Sequence, residues 1–492
     1  MLTPLVTLFI ILGYFAMLIG IAYLTSRGNT DNHTFFMAKR QSPWYLIAIG
    51  MIGTSISGVT FISVPGWVNE RSMSYMQTVF GFLLGYVVIA FVLMPMYYRL
   101  QLVSIYTYLQ RRLGDMSYKT GSAFFLLSRG IGSGFRLYLA AMIMHQFVTG
   151  PLGVSFPLTV AITIGLIWAY TFRGGVKTII WTDLIQTLFL ISALVMSLIF
   201  LGSHMGLDIS GVINTVRSSP KSQVFFFSDG WADPKNFFKQ ILAGMSICIV
   251  MSGLDQDIMQ KNLTVKTLRG AQTNMITYGI VIAFMNLLFL SLGILLFQYA
   301  QQNGIAIPVV NGKPNTDLLY PTIALQHATP ILGVLFLLGI LASTYASADS
   351  ALTSLTTAFC IDFLGFDTNT QANTQRTRTL VHLGFSVILF FIILVFYRIN
   401  DTAVIKAIYD AASLTYGPLL GLFAFGFLTR LGVRDHLVPI VCILAPIISY
   451  IVNINSAAWF GGYKFSFELL IFNGLLTFLG LLAISKRGNF SV

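Results

Sequence analysis

Charge is scarce in this chain. Asp, Glu, Lys and Arg make up 9% of its 492 residues, 56% of which are hydrophobic, and the mean hydropathy is +0.79. A water-soluble globular protein cannot hide so much apolar surface with so little charge, so that class is excluded. Acidic residues are scarcer than basic ones, 17 against 29, for a net charge of +12. Cysteine is reduced to Cys248, Cys360 and Cys442, each inside an apolar segment, which excludes a disulfide framework or a metal cluster. The six histidines (His33, His145, His204, His327, His382 and His436) show no metal-ligand spacing and no nucleophile-base pair accompanies them, which speaks against an enzyme. No cofactor is expected. Low-complexity stretches and long linkers are also lacking, so residues 1–492 read as one domain.

What is present is a succession of apolar windows of about 17–25 residues, the length of a membrane-spanning helix. There are thirteen, near 5–25, 45–69, 76–98, 121–147, 154–171, 178–203, 237–254, 273–299, 330–358, 379–397, 404–428, 437–453 and 466–485. The expected fold class is an all-α polytopic membrane protein with about 13 transmembrane helices. Basic residues test the count, since they gather in cytoplasmic loops. Most do fall in alternate loops, Arg27, Lys39, Arg40, Arg111, Arg112, Arg173, Lys261, Arg376 and Arg487 among them, while Arg129, Arg136 and Lys406 lie inside spans. This places the N-terminus outside and the C-terminus in the cytoplasm of a cell that carries the protein in its plasma or inner membrane. The bias accounts for the positive charge, so no nucleic-acid partner is implied. The segment from Leu5 to Leu24 is too long for a signal-peptide core and lacks a small-residue cleavage site, so it reads as a retained span.

Within the window 330–358, Ser343, Ser347, Ser350 and Ser354 fall within roughly 60° of one another at helical spacing, with Thr344 at the border. A hydroxyl stripe gains nothing from hydrocarbon, so it must face protein, water or an ion. Two other windows are interrupted. One is broken by Gly53-Thr54-Ser55-Ile56-Ser57-Gly58, the other by Met251-Ser252-Gly253-Leu254-Asp255-Gln256-Asp257. Broken helices in corresponding positions of two halves point to a transporter binding site near the membrane midplane. Close helix packing is the other use of such small residues.

The motifs now accumulated resemble those of the sodium:solute symporters. They are Ala38-Lys39-Arg40 before Pro43-Trp44, Ser57 to Pro65, Gly174-Gly175 before Trp181-Thr182-Asp183, Asp255-Gln256-Asp257-Ile258-Met259-Gln260, the Ser343-Thr344 helix, and Gly417-Pro418-Leu419-Leu420-Gly421. The resemblance spans nearly the whole chain. It implies a core of two inverted five-helix repeats of the leucine-transporter type, at 45–203 and 237–428, with an extra N-terminal span at 5–25 and two extra C-terminal spans at 437–485. It also implies a shared sodium site built from carbonyls of Gly53, Ile56 and Ile340 and hydroxyls of Ser343 and Thr344. Such a set suits a hard cation that wants five or six oxygens. Back-bonding to the preceding helical turn is the competing use of both hydroxyls. Some relatives hold a second sodium, for which Asp183, Ser343 and Ser347 are the matching residues here, with Ala346 in place of one further serine. Asp349 lies off the stripe, where the family usually has an uncharged residue. Arg129 and Arg136, water and other polar groups are the candidate partners of this carboxylate.

Arg129, Ser133 and Arg136 form one stripe in the fourth window, and guanidinium suits bidentate recognition of carboxylate. In the resembling sialic acid symporters an arginine of this helix meets the substrate carboxylate, and here Arg136 lies one turn from that register. One arginine pairing with an intramembrane aspartate while the other reaches the cytoplasmic boundary is the alternative. Ser57, Thr60, Gln77 and Gln256 complete the substrate-binding candidates, whereas Asp255 and Asp410 have no assignable partner. The expected function is a sodium-coupled symporter, acting as a monomer in the lipid bilayer, that imports a small organic solute. An organic anion such as a sialic acid or monocarboxylate is favoured over a sugar, inositol or amino acid. A transporter-like sensor and proton coupling remain alternatives at this stage.

Overall fold

The computed structural model describes residues 4–26, 38, 41–172, 175–227, 230, 232–310, 312–366, 374–399 and 404–486. Arg27, His33, Lys39, Arg40, Arg173, Gly174 and Arg487, used in the sequence reading, lie outside the described residues. The main helices are α1 (Pro4–Ser26), α2 (Trp44–Ser55), α3 (Gly58–Arg71), α4 (Tyr75–Arg99), α5 (Asp115–Met144), α6 (Phe156–Thr171), α7 (Gly175–His204) and α8 (Phe237–Gly253). They continue with α9 (Gln256–Asn262), α10 (Leu268–Gln302), α11 (Pro330–Ala358), α12 (Thr374–Ile399), α13 (Val404–Thr415), α14 (Gly417–Leu428), α15 (Val438–Trp459) and α16 (Leu469–Ala483). Strand structure is limited, among the described residues, to two antiparallel pairs, Val309–Val310 with Lys313–Pro314 and Gly432–Val433 with Ser485–Lys486.

Seven of these helices are long and apolar enough to cross a membrane, and ten spans result if each of three bent pairs counts as one. The expected thirteen exceeds this for identifiable reasons. Helices α6 and α16 are apolar but short, and α5 carries Asp115, Lys119, Arg129 and Arg136 along its length. The three bent pairs are α2 with α3 at 58°, α8 with α9 at 66°, and α13 with α14 at 45°. The first two breaks fall inside the interruptions read from sequence. The third, at Tyr416, precedes Gly417-Pro418, a pair that cannot continue the preceding helix without strain.

Packing places the first two breaks against α11. That helix is buried along nearly its whole length after Gly339, and it packs most extensively against α7. It also meets α2, α3, α5 and α9. By contrast, α1, α12 and α15 keep many large apolar side chains on the outside, including Phe9, Phe391 and Ile443, as lipid-facing helices do. The core is thus the set of helices that carries the breaks, with the others wrapped around it.

Candidate functional site

Helix α2 unwinds because its hydrogen-bond ladder stops. Its last rung is the Ile56 N–H donating to Ile52 O at 2.8 Å, and the ladder resumes with the Phe61 N–H donating to Ser57 O at 3.0 Å. The carbonyls of residues 53–56 fall in the gap and lose their intrahelical donors. Across from them stand Ile340, Ser343 and Thr344 of α11, all buried. The two hydroxyls behave differently. Ser343 donates to Ile340 O at 3.0 Å, the back-bonding alternative. Thr344 Oγ1 is buried with no hydrogen-bond partner. A methyl group at Gly58 would collide with that Thr344 hydroxyl, so glycine permits the broken helix to approach α11 there. An orphaned hydroxyl beside a set of freed carbonyls is a donor set of the kind a hard monovalent cation requires. Gly53 is held in place through its N–H, which donates to Thr187 Oγ1 at 3.1 Å, while Thr187 donates to Asp183 O at 2.7 Å.

Next to this break lies a cavity of about 110 Å³, lined by Ser57, Thr60, Tyr75, Arg136, Met251 and Asn286 among others. Ser57, Thr60 and Arg136 therefore share one cavity. The Tyr75 and Tyr409 hydroxyls meet at 2.8 Å along the same wall. Gln77 and Gln256 are elsewhere, which corrects their assignment to the substrate pocket. Gln77 donates to Lys235 O at 2.9 Å and accepts from the Phe226 N–H at 3.2 Å, so it ties down the loop before α8. Gln256 donates to Val103 O at 2.7 Å and accepts from the Ile105 N–H at 3.0 Å. Both amides satisfy loop backbone that would otherwise be buried unpaired.

Arg129 and Arg136 part company. Arg129 forms an ion pair with Asp257 and lies 3.9 Å from Asp255, whose other polar contacts include the Tyr416 hydroxyl donating at 2.6 Å. Asp255 also accepts from the Asp257 N–H at 2.9 Å, capping α9. The break before α9 and the break at Tyr416 are thereby linked through one carboxylate. Arg136 makes no ion pair among the described residues; its polar contact is a donation to Ser347 Oγ at 3.3 Å. Asp410, exposed, pairs with Lys406 at 2.6 Å.

Asp183 has a partner that sequence reasoning missed. Lys261, counted above as a loop charge, is buried on α9, and its Nζ lies 2.5 Å from Asp183 Oδ2 and 2.5 Å from Thr54 Oγ1. Thr54 donates to the same carboxylate oxygen at 3.1 Å. Ser343 and Ser347 are engaged with Ile340 O and Arg136, so the trio Asp183, Ser343 and Ser347 is not assembled here as one ion shell. The available signal was the position of Lys261 four residues after Asp257 in a segment too short to leave the bundle. Asp349 is likewise not paired with an arginine. Its Oδ2 accepts from the Tyr170 hydroxyl at 2.9 Å.

A sequence profile described as the sodium:solute symporter family matches residues 35–431. The sodium/sialic acid symporter NanT of Aliivibrio fischeri is 24% identical over 88% of this chain and 84% of its own length. The sodium-coupled monocarboxylate transporter 1 of Homo sapiens is 23% identical over 83% of this chain and 67% of its own. Among solved structures, a sodium-coupled sialic acid symporter in a substrate-bound outward-open state superposes with a TM-score of 0.82 at 20% identity, covering 98% of this chain and 99% of that one. Mhp1, a nucleobase-cation-symport-1 transporter, superposes with a TM-score of 0.57 at 15% identity, covering 93% and 94%. These likenesses fix the fold as the inverted-repeat transporter type.

Proposed function

Because the chain belongs to the sodium:solute symporter family, a family of multi-pass membrane transporters and not of enzymes, we propose that it imports a small organic anion by alternating access, with sodium as the coupling ion. Arg136 carries this reading: it faces the cavity without a carboxylate partner, beside Ser57 and Thr60, whereas Arg129 is already neutralised. The names of NanT and of the monocarboxylate transporter are in keeping with an anion. A carboxylate would take the guanidinium bidentately, and the hydroxyls and the Asn286 amide would read its polar substituents.

Sodium is assigned to Gly53, Ile56 and Ile340 through their carbonyls and to Ser343 and Thr344 through their hydroxyls, the Ser343 hydroxyl turning from Ile340 O to the ion. Coupling follows from adjacency. An ion that ties Ile56 to α11 also fixes Ser57 and Thr60, which line the substrate cavity. One sodium crossing about 100 mV supplies about 2.3 kcal/mol, and a tenfold gradient about 1.4 kcal/mol. For a univalent anion the voltage contributions cancel, so a single sodium supports about tenfold accumulation, against several-hundred-fold for a neutral solute. The protein works as a monomer in the lipid bilayer, N-terminus outside and C-terminus in the cytoplasm. A thermal-shift screen of carboxylates, sugars, amino acids and vitamins, with and without sodium, tests the reading. Carboxylates stabilise the wild type in sodium and fail to stabilise Arg136→Ala; stabilisation by neutral ligands alone, undiminished in Arg136→Ala, refutes it.

A further inference from the structure

The position of the second sodium that the resemblance implies at Asp183 is filled by a side chain of the protein itself. Asp183 of α7, Thr54 in the last turn of α2 and Lys261 of α9 are all buried. The bend between α8 and α9 turns Lys261 inward, where its Nζ donates to Asp183 Oδ2 and to Thr54 Oγ1, each at 2.5 Å. Thr54 donates to the same carboxylate oxygen at 3.1 Å. A carboxylate oxygen and a hydroxyl converging on one point are ligands that a sodium ion would use, and the ammonium stands at that point. The oxygens left over do not make a second shell. Ser343 donates to Ile340 O at 3.0 Å, Ser347 accepts from Arg136 at 3.3 Å, and Ala346 has no side-chain oxygen. Asp183 Oδ1, without a hydrogen-bond partner among the described residues, is a single oxygen where a sodium ion wants five or six. A second cation on this carboxylate would also stand against the ammonium in a site that screens charge poorly. Sodium and Lys261 therefore exclude each other at Asp183.

We propose that Lys261 is a tethered cation that takes the place of a second sodium at Asp183, so that the protein carries one sodium per transport cycle. Being part of the chain, the ammonium balances the carboxylate without being carried across the membrane. With a univalent anion the cycle then moves no net charge, and membrane voltage does not drive accumulation. The occupancy of the Asp183 position stands on the ion pair alone; the one-sodium cycle rests on the sodium-coupled, anion-importing reading above.

Equilibrium binding of radioactive sodium to the purified full-length protein in lipid nanodiscs tests the occupancy. The wild type binds one sodium ion per protein. Lys261→Ala vacates the position, water completes the oxygen set around Asp183 and Thr54, and a second, weaker sodium binds; adding Asp183→Asn to that variant removes it. Two sodium ions on the wild type overturn the proposal, as does a folded Lys261→Ala protein that binds no more than the wild type. If Lys261→Ala does not fold, the wild-type count decides. No sodium on the wild type would refute sodium coupling instead, and the sodium gained by Lys261→Ala would still decide the occupancy. Accumulation of pyruvate and N-acetylneuraminate in proteoliposomes under a sodium gradient, with and without an inside-negative potassium diffusion potential, tests the cycle. The potential leaves wild-type accumulation unchanged and raises that of Lys261→Ala; a severalfold rise in the wild type overturns the one-sodium cycle. Uptake of neither anion would count against the anion-symporter reading, with the sodium count still deciding the proposal.

Discussion

Arg129 and Arg136 sit two turns apart on one stripe of α5 and reach the same cavity, yet they are put to different uses. Arg129 is buried against Asp257 and Asp255 at the foot of the broken α8–α9 pair, whereas Arg136 is only partly buried and has a serine for its nearest polar contact. A buried cation surrounded by carboxylates holds the architecture together. A cation kept without one is available to a ligand. The difference shows that residue type and helical spacing do not identify a substrate contact; the charge balance around each residue does.

The comparison can be broken at either residue. Arg129→Ala strands two carboxylates and costs stability by about 3–5 kcal/mol, read as a lower unfolding temperature of the purified protein; Arg129→Gln combined with Asp257→Asn recovers part of it. Arg136→Ala leaves the unfolding temperature nearly unchanged and lowers affinity for an anionic solute by about 2–5 kcal/mol, thirtyfold or more in a binding titration, with Arg136→Lys intermediate. A stable Arg129→Ala and an unfolded Arg136→Ala would invert the assignment. Thr344→Ala raises the sodium concentration needed for half-maximal uptake about tenfold. Ser343→Ala does so by less, since its hydroxyl must leave Ile340 O to serve the ion. The smallest change is Gln77→Ala, which costs about 0.5–1.5 kcal/mol of stability and leaves solute affinity as it was.

The first two helix breaks were legible because glycine, serine and aspartate interrupt otherwise apolar runs at Gly53–Gly58 and Met251–Asp257. The break at Tyr416 was masked by an apolar window that runs straight through it, although Gly417-Pro418 marked the place. Ser57, Thr60 and Arg136 could be placed at the cavity from helical spacing and resemblance. Gln77 and Gln256 could not be excluded, because whether an amide turns to a cavity or to a loop backbone depends on tertiary geometry. Lys261 was misread for a related reason. A lysine near the end of an apolar segment looks like a loop charge until the bend of 66° between α8 and α9 carries it back beside Asp183.

The central claim is that a sodium gradient drives an anion onto Arg136. Uptake into proteoliposomes under an imposed inward sodium gradient, with N-acetylneuraminate, pyruvate and neutral myo-inositol as probes, measures it directly in wild type and Arg136→Ala. The account predicts sodium-dependent accumulation of at least one of the two anions by the wild type, loss of that accumulation in a folded Arg136→Ala protein, and none of myo-inositol. Sodium-driven accumulation of myo-inositol alone, equal in both proteins, would contradict it.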